Sequence, residues 1–145
     1  MESSNLPEQP LIIETEIPPS DLRFLEDQIN QYNIQTTGFT DYRPLAAFVH
    51  NAQNDLIAGI SGFTWGGCCE IQVLWVHADY RHRGFGRQLL AAAEAEAFNR
   101  QCGIVVLNTH SFQAPAFYQK LGYTITGIDE DYPAGHRQYH LQKRL

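Results

Sequence analysis

Positive charge is scarce in this chain: Lys and Arg total 10 against 16 Asp and Glu in 145 residues, a net charge of −6. Nothing global therefore draws it to a phosphate backbone or an anionic lipid, and neither nucleic acid nor a membrane is expected as a partner. Long apolar runs are missing too. None approaches the roughly 20 residues that span a bilayer, and the opening MESSNLPEQP has no basic segment followed by an apolar one. The expected compartment is the cytoplasm. Cysteine numbers only 3, with Cys68 and Cys69 adjacent, no CxxC and no His pair at zinc-like spacing. Buried thiols follow, rather than disulfides or a metal site. With no repeat, low-complexity tract or Gly/Ser linker, one domain over residues 1–145 is expected, long enough to bury about 68–70% of its unfolded surface.

What is present is a single hydrophobic pattern. DLRFLEDQINQYN carries Leu22, Phe24, Leu25 and Ile29 at near-helical spacing, with Ser20 or Asp21 expected to cap its start. LAAFVHN, LIAGISGFTW and CEIQVLWVH are β-rich and divided by the polar AQND and by Gly66-Gly67, which predicts three successive antiparallel strands. Then DYRHRGFGRQLLAAAEAEAFNRQCG places Leu89, Leu90, Ala93 and Ala97 on one helical face. IVVLNT reads as a strand buried on both faces, and SFQAPAFYQKLG as a short helix closing at Gly122. YTITGI and HRQYHLQKR flank DEDYPAG as a terminal hairpin.

The junction after the third strand carries the most chemistry. Arg81, Gly84 and Gly86 stand as RxxGxG between strand and helix. A helix start offers unpaired N–H groups and positive dipole character, and glycine lets an anion approach that backbone. Arg83 and Arg87 add local charge, so the turn suits a pyrophosphate. Taken alone, a GxG turn is equally an ordinary packing device. Two other phosphate motifs fail: no Lys-Ser/Thr follows the second glycine, and no third glycine completes GxGxxG.

LWVHADYRHRGFGRQLL resembles the acetyl-CoA motif of the GNAT N-acetyltransferases, and SFQAPAFYQKLGY resembles their second motif. The resemblance implies an α/β (α+β) fold: a mixed, mostly antiparallel central sheet splayed between the family's fourth and fifth strands, the fourth bulged, with helices on both faces. It further implies that acetyl-CoA lies in the splay, its pantetheine arm pairing with Leu74, Trp75 and Val76. The Leu74 N–H then faces the thioester carbonyl, as an oxyanion donor. The pyrophosphate would meet the backbone of Arg81, His82, Arg83, Gly84, Phe85, Gly86 and Arg87. Tyr118 matches the tyrosine that protonates the departing thiolate, a task for which a phenol of pKa about 10 suits a thiol of about 8.5. Phe117, its neighbour on a short helix, is expected to face another side. Ser111 stands where family members often carry Asn, which weakens any contact to the CoA arm there, although the hydroxyl is able to cap the helix.

An ammonium with pKa near 10.4 cannot attack until a base removes its proton. Glu70, 11 positions before Arg81, resembles the general-base glutamate of the histone acetyltransferase branch. His110, His77 and a relay through water stay open as alternatives. Cys68 and Cys69 have no His/Asp arrangement to make a nucleophile, which favours direct transfer in a ternary complex. The acceptor is expected to be an amine of a small molecule or peptide, with Tyr32, Tyr42, Asp131 and Tyr132 as aromatic and acidic candidates for its pocket. The competing reading is an acyl-CoA-binding regulatory module without turnover. The resemblance also implies a homodimer, since exposed strand edges and aromatic loops in such small acetyltransferases commonly pair.

Overall fold

The computed structural model describes Asn5, Glu8 and residues 10–145, in two compact units divided after Gly38. The first contains α1 (Pro19–Thr37). Pro19 occupies its first turn, where a missing N–H costs nothing, and Pro18 stands at the N-cap without a side-chain cap bond. The expected cap at Ser20 or Asp21 is corrected accordingly, because both residues already lie inside the helix. Gly38 ends it at φ 76°, its N–H donating to Ile34 O at 2.8 Å.

The second unit is a six-stranded sheet in the order β1-β2-β3-β4-β6-β5 with two helices: β1 (Arg43–His50), β2 (Leu56–Trp65), β3 (Cys68–Val76), α2 (Phe85–Asn99), β4 (Ile104–His110), α3 (Pro115–Lys120), β5 (Thr124–Glu130) and β6 (Arg137–Arg144). Only β3 and β4 run parallel, with α2 as their crossover. The mixed, mostly antiparallel sheet expected from the family resemblance is present, and the family's fourth and fifth strands are β3 and β4 here.

Leu89, Leu90, Ala93 and Ala97 of α2 and Tyr118 of α3 join one core with Ala58, Ile60, Cys69, Ile71, Val105 and Leu141 of the sheet. Strand registers place all of these strand residues on one face, so α2 and α3 cover the same side. β4 departs from its expected burial on both faces: Val105, Leu107 and Thr109 are buried, while Asn108 is exposed. A period of two puts alternate side chains on opposite faces, and the helices of this unit cover only one. α2 and β5–β6 are joined by Glu94, which accepts from Tyr123 Oη at 2.9 Å and Lys143 Nζ at 3.0 Å.

The same alternation leaves Cys68 exposed and Cys69 buried on β3; Cys102, buried between α2 and β4, is like them a free thiol. Burial pushes the Cys69 thiol up to about 11 from 9.0. Below pH 9 the thiol is neutral in both folded and unfolded chains. Between 9 and 11 the unfolded chain ionises and the folded one does not, so stability falls as pH rises through that window, by at most about 2–3 kcal/mol. Urea titrations at pH 8 and 10.5 check this: Cys69→Ala is expected to flatten the pH dependence, and an unchanged slope refutes the assignment.

Candidate active site

β3 and β4 pair only from Cys68–Ile104 to Ile71–Leu107. Beyond that point they part. The cause lies in the β2–β3 ladder, where Ser61 faces Val73 but Gly62 faces Ile71, leaving Gln72 as an extra residue. This bulge resets the alternation, so that Cys69 and Ile71 before it and Leu74 and Val76 after it pack toward the same core. Gly62 is what allows it, since a Cβ there would run into the Glu70 carbonyl oxygen. The parted strands leave a cavity of about 860 Å³, lined by Ile71 to Val76 on β3, by Leu107 to Thr109 on β4, and by the loops and helix starts that follow each strand.

The loop after β3 closes one end of this cleft. A single 3-10 turn, Ala78–Tyr80, is capped by His77, whose Nδ1 accepts from Asp79 N at 3.1 Å. His82 and Gly84 then adopt left-handed φ of 60° and 86°. Gly84 is the N-cap of α2 and offers no side-chain cap, so the first-turn N–H groups of α2 have no side-chain acceptor there. The two glycines serve different ends. Gly84 is required by its φ, with open space around it, whereas Gly86 leaves room for Phe117, whose Cζ would stand 3.3 Å from an added Cβ.

The three arginines separate as well. Arg81 lines the cavity and donates from Nε to Val76 O at 3.1 Å; Arg87 lines it too; Arg83 does not, and lies over the Tyr80 ring at 5.2 Å. His82, Gly84, Phe85 and Gly86 complete this wall, and Leu74, Trp75 and Val76 form the β3 side.

Tyr118 lies in the opposite wall. Its side chain packs against Phe117 and Tyr123 at centroid distances of 5.1 and 5.8 Å, and the residue is 8% exposed. Burial raises its pKa above the ordinary 10.0, so the phenol keeps its proton throughout the neutral range. Contrary to expectation Phe117 and Tyr118 both line the cavity, because the start of α3 borders it directly.

The remaining predicted residues lie elsewhere. Glu70 sits across from Phe63 and Val106, on the face away from the helix core, and does not line the cavity. His77 serves as the turn cap just described. Ser111 does not cap α3, whose N-cap is Ala114; its Oγ accepts from Arg137 N at 3.1 Å and its N–H donates to Arg137 O at 2.8 Å, which ties the loop after β4 to β6. Tyr42 packs on Phe63, which pairs with Glu70 one position before the cleft begins at Ile71 but on the sheet face away from the helix core, and does not line the cavity.

Sequence reasoning missed Gln72, Asn108, Phe112 and Gln113, all of which line the cavity. Gln113 Oε1 accepts from His110 N at 2.7 Å and so holds the turn after β4. Asn108 is the first β4 residue beyond the β3 pairing, and its Oδ1 meets His140 Nδ1 at 2.8 Å, while His140 Nε2 meets Asp129 at 2.8 Å. A polar row thus crosses three strands and ends in the cleft. Its signal in sequence was three polar residues in otherwise β-like runs, with His140 standing 11 positions after Asp129 and 32 after Asn108. Among the described residues no group of three or more His, Cys, Asp or Glu is placed to hold a metal ion, and no helix is long and apolar enough to cross a membrane.

Residues 13–123 match the profile of the Acetyltransferase (GNAT) family. The chain is 33% identical over 117 residues to the blasticidin-S acetyltransferase of Streptomyces morookaense, covering 77% of this chain and 85% of that one. Among solved structures it is similar to an acetyltransferase of Bacillus cereus, with a TM-score of 0.80, 32% identity, and coverage of 93% and 98% of the two chains. It shares its fold, at a TM-score of 0.62, 22% identity and coverage of 70% and 62%, with a protein assigned as a streptothricin acetyltransferase of Bacillus anthracis, solved in complex with acetyl coenzyme A.

Proposed function

The chain belongs to the GNAT acetyltransferase family, whose members are N-acetyltransferases using acetyl-CoA as donor, and from this we propose that residues 1–145 act as one domain that moves the acetyl group directly to an amine of a small molecule in a ternary complex. The observation that carries the reading is the cleft itself: strands parted by a bulge, an α2 start without a side-chain cap at one end, and a protonated phenol in the wall. The small-molecule acceptor is supported by the relative named for blasticidin S.

In this reading the β3 backbone from Leu74 to Val76, which has no β4 partner at that level, receives the pantetheine arm. The Leu74 N–H stabilises charge developing on the thioester oxygen. The α2 amides from Gly84 to Arg87, with the Arg81 and Arg87 side chains, hold the pyrophosphate, while Ser111 acts only by tying the loop. The amine nitrogen attacks the carbonyl carbon and a C–N bond forms; as the C–S bond breaks, Tyr118 gives its proton to the departing thiolate, the nitrogen sheds its second proton to leave the neutral amide, and solvent returns a proton to the phenolate. The ammonium proton leaves before attack. Glu70 lies one face away from the cavity, so its contribution as base runs through a water, and the polar row ending at Asn108 is suited to ordering such a water.

Release of free thiol from acetyl-CoA across a panel of antibiotic amines, polyamines and basic peptides tests the reading. Amine-dependent thiol release supports it; tight acetyl-CoA binding without any acetylation favours the non-catalytic module instead. Gly84→Ala is expected to raise the KM for acetyl-CoA about tenfold with kcat little changed, since an alanine at φ 86° costs about 1–2 kcal/mol and distorts the amides that meet the phosphates. An unaltered KM would remove the phosphate site from this turn.

A further inference from the structure

Four rings gather where the cleft opens. The His110 ring stacks on Phe112 at 5.2 Å and 2°, and on Tyr132 at 5.6 Å and 9°; His136 meets Phe112 edge-on at 5.0 Å. Phe112 belongs both to the cavity lining and to this stack, so the rings continue the cleft wall outward to the β5–β6 tip.

The arrangement is built rather than incidental. His110 Nδ1 stands 3.0 Å from Tyr132 O, and since a carbonyl only accepts, this nitrogen carries the proton and fixes the ring plane. The tip closes through Tyr132 N to His136 O, His136 N to Pro133 O, and Gly135 N to Asp131 Oδ1, at 3.1, 2.8 and 3.3 Å. The Ser111–Arg137 pair of bonds then ties tip to strand. Yet Phe112 and Tyr132 remain 56% and 55% exposed. Rings fixed in this way and left in water offer flat faces at little ordering cost to whatever binds. At the tip Glu130 pairs with Arg137 at 2.9 Å and Asp129 with His140 at 2.8 Å, and Asp131, next to Tyr132, adds one further carboxylate that favours a positive charge there.

We infer that this aromatic wall is the acceptor subsite, and that the acceptor it selects is an amine carried on a flat ring system rather than an aliphatic polyamine. The inference rests on the acetyltransferase reading for its consequence in turnover, but not for binding. A planar ring gains stacking on Phe112 or Tyr132 that a polymethylene chain does not.

The test compares kcat/KM for tryptamine, histamine and aminomethylpyridine with that for putrescine and spermidine, in the wild type and in Tyr132→Leu, His136→Leu and Tyr132→Phe. Ring amines are expected to be favoured at least about tenfold, through KM. The two Leu variants should lose most of that preference with the KM for acetyl-CoA unchanged, while Tyr132→Phe retains it and shows that the hairpin folds. Equal efficiency for the two amine classes, or a preference indifferent to the Leu variants, overturns the proposal. NMR of the aromatic ring signals during titration with tryptamine reads binding independently of turnover. Ring shifts without acetylation would sink the transfer reading and leave the wall standing; acetylation without ring shifts would do the reverse.

Discussion

Tyr118→Phe is expected to lower kcat about 100-fold or more while leaving the KM for acetyl-CoA within about twofold, because general acid catalysis contributes typically 10²–10⁴-fold and the ring itself stays. The residue is 8% exposed, packed against Phe117 and Tyr123, and lines the cleft. Removing one oxygen therefore changes the proton supply with little change in volume. Without a donor, the sulfur must leave as a thiolate. The expected signature follows from that: acyl donors with more acidic thiols, which leave readily without a proton, should be much less sensitive to the substitution. Because burial raises the phenol's pKa above 10.0, ionisation of Tyr118 does not limit the wild type below that pH, and any basic limb seen between pH 8 and 10 must survive in the variant's profile. Equal kcat in the two proteins would remove Tyr118 from the chemistry.

Gly62→Ala is expected to cost about 3 kcal/mol, near the upper end for overpacking, and to lower Tm by about 10 °C in a chain of this size. The obstacle is backbone: the new Cβ would meet the Glu70 carbonyl oxygen and Ile71 Cα, neither of which moves without shifting β3. Since Gly62 stands opposite the bulge at Gln72, the ladder must rearrange where the cleft begins, and acetyl-CoA affinity should fall along with stability. Gly59→Ala supplies the contrast on the same strand. There the nearest atom is Cδ1 of Phe48, at 3.0 Å on a side chain 60% exposed that is free to turn aside, so a cost under about 1 kcal/mol is expected. Thermal melts of the two variants together decide the matter, because similar losses would mean that the bulge plays no special part.

The β-rich runs, the α2 stripe of Leu89, Leu90, Ala93 and Ala97, and the terminal hairpin were all legible, since each follows from a local period of apolar residues. RxxGxG and the Phe-Tyr pair likewise carried the family resemblance, because a glycine turn and an aromatic pair are written in contiguous residues. What local pattern does not express is which of two faces a helix covers. That is why β4 read as buried on both sides, and why Glu70 looked like a cleft residue when it lies on the other face.

The chain by itself determined its elements, their order, and the glycine turn and phenol of the candidate site, all of which depend on neighbours within a few positions. Only the tertiary structure decided that one extra residue at Gln72 rephases β3 and parts it from β4, that Asn108 is joined to His140 and Asp129, and that the rings at 110, 112, 132 and 136 meet. The physical reason is the same in each case: a bulge, a polar row and an aromatic wall are relations between strands brought together by register, and register depends on the pairing of distant segments rather than on the composition of any one of them.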